Sequence, residues 1–344
     1  MTVRGDSDVE WDQFVAASPF GHHEQSSGYA ASRAAFGYRC ERVIVRDGGR
    51  IVAGAQVLIA AAPIGRVGLV FRGPLSLDDD PRWMGEAVRR LDELGQRGAF
   101  ATLRVDCFPC QETALEVLAE AGFEPSVSWE RGRVMSSIVV PLQDSEEDLL
   151  RGMHKKVAYN VRRSRRQGLV VRSGSEAPLA DFYRVHQATA GHQGFPVFPE
   201  TYFSYVDHMF GAAGKARRFI AYGDGQPRAA ILNTIVGSHM YYGWGGMLRD
   251  VDSKRFRANF LLHVEAMNWA AQQGCTHYDF VGSQPFKRWF GSDRIAWPEP
   301  YRKFYGPLAR LRRRALEGAH ASASARQLIT RLGRRLGLVR PMPW

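Results

Sequence analysis

In the last third of the chain, Gly282 to Asp293 reads GSQPFKRWFGSD. Lys287 follows Phe286, precedes Trp289 and Phe290, and has glycines at 282 and 291 on either side. Aromatic side chains exclude water locally, and glycines let backbone come close to a ligand. A cation held in such surroundings stabilises developing negative charge far more than it would in bulk water. Other chemistries lack their residue patterns. There is no H-E-x-x-H, no G-x-x-x-x-G-K-[ST], no G-x-G-x-x-G after a strand and no G-x-S-x-G. The ten histidines show no metal-ligand spacing, and His22-His23 reads as a turn pair. No serine or cysteine has an evident base beside it. Cys107-Phe-Pro-Cys110 matches C-x-x-C between a strand-like and a helix-like run, where a redox pair would sit. With four cysteines in all, no second pair completes a zinc site, and free thiols in a reducing compartment are expected.

The elements that must position Lys287 come from an internal repeat. The first copy runs ERVIVRDGGRIVAGAQVLIA, VGLVFRGP, PRWMGEAVRRLDELGQRG and FATLRVD. The second runs RRFIAYGDGQPRAAILNTIV, MYYGWGGM, NFLLHVEAMNWAAQQG and THYDFV. Each reads strand, Asp-Gly turn, strand, strand, helix, glycine stop, strand. Asp47-Gly48 and Asp224-Gly225 carry hairpin chemistry, and Gly98 and Gly274 sit where a helix end wants positive φ. Leu91 and Leu94, and Leu262, Val264, Met267 and Trp269, supply the apolar helix positions. Two equivalent α/β units predict duplicated domains, each with a mixed, largely antiparallel sheet flanked by helices. The expected boundaries are 1–142, 143–306 and a tail over 307–344.

Charge is uneven. The 344 residues carry a net +11. Between the copies, SEEDLLRGMHKKVAYNVRRSRRQG predicts one basic amphipathic helix, opened by Ser145 and stopped by Gly168. Arg162, Arg163, Arg165 and Arg166 decorate its outer side. From Arg310 to the end there are nine arginines, no lysine and one acid, Glu317. Leucines interleave with them, a pattern that suits an RNA backbone, an anionic membrane face or docking on the protein's own domain. The N-terminal segment has no apolar signal stretch, and no run approaches the ~18 apolar residues of a membrane span. A cytoplasmic protein, peripheral to the inner face of the membrane if the tail binds lipid, is the expectation.

The run KKVAYNVRRSRRQGLVV, then ATAGHQGF, then MYYGWGGM through THYDFVGS, then FKRWFG resembles the Fem-type peptidyltransferases. These aminoacyl-tRNA-dependent enzymes add amino acids to cell-wall precursors, and relatives act in antibiotic biosynthesis. The resemblance covers most of residues 11 to 306 and implies two tandem acetyltransferase-like (GNAT-like) domains of mixed α+β structure. It implies that Phe286 and Lys287 lie at the acceptor site, with Lys287 stabilising transition-state charge, and that Asp106, ending LRVD, lies near the reacting amine. It places Arg33, in QSSGYAASR, at the acceptor's phosphates, with Tyr29 where a tryptophan is usual. Tyr241, Tyr242, Arg257 and Asn259 match the wall of the second-domain cleft. His192 stands where members commonly carry arginine, a departure at the acceptor site, and GAAGKARR is too short for the long coiled-coil arm of some members.

The resemblance implies transfer of an aminoacyl group from aminoacyl-tRNA, as co-substrate, to an amine acceptor. The acceptor would be a peptidoglycan precursor or a specialised-metabolite peptide, and no metal or other cofactor is required. Two alternatives stay open: an acyl-CoA-dependent N-acyltransferase on the same fold, and a non-catalytic adaptor binding RNA or membrane. No convincing [Q/R]-x-x-G-x-[G/A] turn for a coenzyme pyrophosphate opens either helix of the repeat (Gln25 to Ala30 has the bare spacing but precedes the first copy), which weighs against the first.

Overall fold

The computed structural model describes residues 6–62, 65–78, 80–108, 111–125, 136–194, 197–211, 214–249, 253–291, 294–307 and 313–314. The chain forms two compact units. The first begins with helices α1 (Asp6–Ala17) and α2 (Ser27–Ala34). Strands β1 (Arg39–Asp47), β2 (Arg50–Ala62), β3 (Gly65–Phe71) and the short β4 (Leu75–Ser76) follow. Helix α3 (Pro81–Gln96), β5 (Thr102–Asp106), α4 (Glu112–Glu120) and β6 (Glu124–Pro125) complete this stretch. The second unit carries β7 (Ser136–Pro141), α5 (Glu146–Arg151), α6 (Lys155–Arg166), β8 (Val170–Ser173), α7 (Leu179–Gln193) and α8 (Glu200–Val206). It continues through β9 (Ala216–Gly223), β10 (Gln226–Val236), β11 (His239–Met247), α9 (Ser253–Phe256), α10 (Ala258–Gln272), β12 (His277–Asp279) and β13 (Arg294–Ala296). Strand β14 (Tyr301–Phe304) returns to the first unit.

The repeat read from the sequence is the repeat that folds. Among the described residues each unit has a seven-stranded sheet, ordered β1-β2-β3-β5-β14-β6 with β4 beside β2 in the first, and β13-β7-β12-β11-β10-β9-β8 in the second. In both, two hairpin-linked antiparallel strands lead to a parallel pair, β3 with β5 and β11 with β12. A parallel pair needs a crossover, and α3 and α10 supply it. The turns act as hairpin chemistry requires: Asp224 and Gly225 both take positive φ, while in the first copy the turn sits one residue later, on Gly48 and Gly49.

Cores form where the helical apolar positions meet these sheets. Met84, Val88 and Leu91 of α3 are buried with Val57, Val70 and Val105. Leu262, Val264 and Met267 of α10 are buried with Ile231, Met240 and Tyr278. Gly95 lets the Tyr305 ring lie against α3: a Cβ there would come within 2.3 Å of the ring. Gly95→Val is expected to destabilise by about 1–3 kcal/mol through overpacking, read as a lower Tm.

One expectation is corrected. The helix drawn from Ser145 to Gly168 is two helices. Ser145 does cap the start, accepting from Asp148 N, and Gly168 does stop the end with φ 75°. Between them Gly152, Met153 and His154 turn the chain, and His154 caps α6 by accepting from Lys156 N. The limits expected for the second domain, 143 and 306, also differ from those of the second unit, Ser136–Ala296. Strand β7 precedes the expected boundary yet pairs antiparallel with β12 and β13, and β14 precedes the expected tail yet pairs with β5 and β6. The physical cause is shared: β5 and β12 each end a parallel pair and need a further partner, which arrives from a distant part of the chain. Cys110 and the tail beyond Pro307, Arg313 and Arg314 apart, lie outside the described residues. Cys107 is a free thiol whose pKa burial pushes up, which argues against a reactive thiolate there. Among the described residues no helix is long and apolar enough to cross a membrane.

Candidate active site

The parallel pairing of β11 with β12 runs only from His239–His277 to Tyr241–Asp279. Beyond it β11 continues to Met247 against β10, past a register shift between Leu232 and Asn233, while β12 stops. Lys287 enters where the two strands part. It begins a single 3-10 turn, Lys287–Trp289, and its side chain is 4% exposed. Its Nζ donates to Phe280 O at 2.8 Å and lies 5.0 Å from the centre of the Tyr242 ring and 5.7 Å from that of Phe280. An ammonium has three donors, and the Phe280 carbonyl takes one of them. Gly282 makes room: a Cβ there would sit 2.9 Å from Nζ.

Burial lowers the Lys287 pKa to about 7, and the charge of Asp279 opposes the fall. The same apolar surroundings hold His263 neutral, with a pKa of about 3 set by burial and by the nearby Lys287 charge. His263 Nδ1 is 2.9 Å from Tyr278 OH, and its ring packs edge-on against Tyr242. Burial raises the Tyr242 and Tyr278 phenols, so neither supplies an anion near neutral pH.

The structure brings Lys287, Phe286 and Tyr242 together, Phe286 packing on the His263 ring at 6.2 Å. The Tyr241–Tyr242 pair splits, as successive strand residues must. Tyr242 goes to Lys287, while Tyr241 stacks on His239 and pairs across the strand with Asp279. Arg257 stands exposed in a left-handed conformation directly before α10, with Asn259 half-buried in its first turn. His192 is exposed in the last turn of α7. On α6, Arg162 and Arg166 are exposed and Arg163 half-buried. Arg165 is exposed as well, and its guanidinium forks onto Glu146 at 2.6 and 2.8 Å and reaches Glu265 at 2.8 Å, a tie between α5, α6 and α10.

In the first unit Asp106 ends β5, 4% exposed, and accepts from Arg104 Nε at 3.0 Å. Arg33 donates to Tyr29 OH at 2.7 Å and covers its ring at 4.7 Å. Tyr29 OH in turn donates to Glu24 Oε1 at 3.2 Å. Glu24 also faces Arg72 Nε at 3.4 Å, and Arg72 lies 3.3 Å over the Trp297 ring. This buried network of Glu24, Arg72 and Trp297 escapes the sequence reading, because Trp297 reaches it from beyond the second repeat. Asp279 and His263 escape too, although aligning LRVD with THYD would have drawn attention to Asp279.

Residues 151–288 match the acetyltransferase (GNAT) domain family. The chain is 20% identical over 221 residues to a lipid II:glycine glycyltransferase of Staphylococcus haemolyticus (strain JCSC1435). That match covers 61% of this chain and 53% of the relative, so it spans about half the length of the curated relative. The crystal structure of FemX superposes with a TM-score of 0.78 at 17% identity, covering 90% of this chain and 98% of that one. A tandem GNAT protein from the clavulanic acid biosynthesis pathway superposes with a TM-score of 0.54 at 14% identity, covering 88% and 96%. The chain has the tandem GNAT fold of these two solved structures.

Proposed function

We propose that the protein is an aminoacyltransferase that moves an aminoacyl group from aminoacyl-tRNA to the amine of a peptidoglycan precursor. The observation that carries this reading is Lys287, a buried ammonium with donors to spare where β11 and β12 part. The ester of an aminoacyl-tRNA is already activated. The acceptor amine attacks its carbonyl, a C–N bond forms, and the carbonyl oxygen becomes an oxyanion. The C–O bond to the ribose then breaks, the ribose oxygen takes up a proton and the amine gives one up. Such a reaction needs alignment, stabilisation of the oxyanion and a route for that proton. Lys287 suits the second task in its ammonium form, and a substrate group can serve the third.

The lipid II:glycine glycyltransferase supports a cell-wall amine as acceptor, and the exposed arginines of α6 support a polyanionic donor. A cytoplasmic site, where charged tRNA is made, follows from this donor. An acyl-CoA donor is disfavoured locally. Residues 255–259 read Arg-Phe-Arg-Ala-Asn, and no glycine before α10 lets backbone close on a pyrophosphate. With purified protein, a peptidoglycan-precursor amine and a mixture of charged tRNAs, amide product is expected to form and to vanish on complete ribonuclease digestion. Acetyl-CoA should release no coenzyme A. Product that survives digestion, with coenzyme A released, would overturn the donor.

A further inference from the structure

We infer that Asp279 is a positioning residue for Lys287, the second-unit counterpart of Asp106. The inference rests on the proposed role of Lys287. Its first support is register. In the first unit the parallel pairing of β3 with β5 ends at Phe71–Asp106, and in the second that of β11 with β12 ends at Tyr241–Asp279. Each acid therefore holds the last paired place of the strand that follows the crossover helix. Each is buried, 4% and 2% exposed. Each also has a cation of its own unit: Arg104 donates to Asp106, and the Asp279 charge reaches Lys287.

The second support is the turn that Asp279 organises. Its Oδ1 accepts from Val281 N at 2.6 Å and from Ser137 Oγ. The Ser137 hydroxyl in turn accepts from Gly282 N at 3.1 Å. Val281 is held at φ 45°, a left-handed conformation that a β-branched residue avoids unless its neighbours impose it. Main-chain bonds to β7 close the turn: Phe280 N donates to Ile138 O at 3.0 Å, and Ile138 N to Gly282 O at 3.1 Å. The product of this arrangement is the fixed Phe280 carbonyl, which takes the Lys287 ammonium. Asp279 thus acts on Lys287 twice, by setting the carbonyl that aims it and by supplying negative charge in an apolar pocket.

The other ionisable groups around Lys287 do not supply that charge. His263 on α10 is neutral, and the Tyr242 and Tyr278 phenols on β11 and β12 keep their protons near neutral pH. Removing the Asp279 charge should therefore lower the Lys287 pKa.

The chain has only six lysines, so selectively ¹³C-labelled lysine gives a spectrum in which Lys287 is assigned by its loss in Lys287→Met. In Asp279→Asn the Lys287 titration midpoint is expected to fall by about one unit or more. The alkaline limb of the kcat profile should fall with it, KM changing less, and Asp279→Glu should restore both in part. Should the Asn variant not fold, Asp279→Ser still offers a hydroxyl to the Val281 N–H without the charge and is read the same way. A midpoint unmoved in the charge-free variant overturns the inference, whatever the activity does. A midpoint that falls without any change in the kcat profile upholds the Asp279–Lys287 link and instead overturns the catalytic role of Lys287.

Discussion

Lys287→Met is expected to lower kcat by about 10²–10³-fold, the scale of removing one oxyanion-hole donor. The loss should appear in kcat and kcat/KM alike, because the contact strengthens as the oxyanion forms. Methionine keeps the length of the side chain and removes the ammonium. Lys287→Arg should rescue only partly. The guanidinium is bulkier and spreads its charge, and the pocket that holds Lys287 is closed by Gly282 and the Tyr242 ring.

Stability supplies an independent reading of the same residue. The folded-state pKa of Lys287, about 7, lies below the model-peptide value of 10.5. Below pH ~7 both states are protonated there, and burial of the charge costs the folded state its full penalty. Between the two values the unfolded chain holds a proton that the folded chain has shed, so stability rises with pH, with a limiting slope of about 1.4 kcal/mol per unit. Lys287→Met should remove that rise, and its Tm at pH 6 should equal or exceed that of the wild type. Activity should move the opposite way in the wild type, falling as the ammonium is lost above pH ~7. Near-normal turnover in the methionine variant would remove Lys287 from the chemistry. A large drop in Tm at pH 6 would make it a structural cation.

The triple variant Arg162→Ala, Arg163→Ala, Arg166→Ala is expected to weaken RNA binding about 10²-fold at 0.1 M salt, and hardly at all near 1 M. The physical basis is counterion release. Each neutralised phosphate adds roughly 0.7–0.9 to the magnitude of the log–log salt slope, so losing three contacts should flatten it by about 2–3. Lys155, Tyr159, Arg162 and Arg166 recur at spacings of four, three and four along α6 and share one face, with no acid in that row. Tyr159, 55% exposed, adds a ring on which an unpaired base can stack. Arg165→Ala is the control. With its guanidinium on Glu146 and Glu265, it should lower Tm modestly, since the pairs are partly exposed, and leave the salt slope alone. A slope unchanged in the triple variant would leave the row as a solvated face. Truncation after Pro307 asks the same of the tail: a flatter slope marks RNA contacts, and loss of vesicle pelleting with unchanged RNA affinity marks a lipid surface.

Much of the architecture was legible because its signals are local. The duplicated order of strands and helices, the Asp224-Gly225 turn, the Ser145 cap and the Gly168 stop depend on conformational preferences of neighbouring residues, and these survive in the isolated sequence. The apolar positions of α3 likewise pointed to its buried side, Leu91 fully and Leu94 half-buried, whereas α10 is buried on nearly every side, so its apolar residues mark no single face. Lys287 stood out for the same reason, as a cation set among aromatics and glycines. What the sequence left undecided was pairing across long separations. β7 joins the second sheet and β14 the first because β12 and β5 need outer partners, and hydrogen-bonding demand of that kind leaves no trace in composition or period. The partners of the charges were hidden for the same cause. Arg165 reads like its neighbours until Glu146 and Glu265 are folded against it. Asp279 reads as one more strand residue until Ser137, from the far side of the expected domain boundary, and the Val281 amide fix its carboxylate beside the turn that receives Lys287.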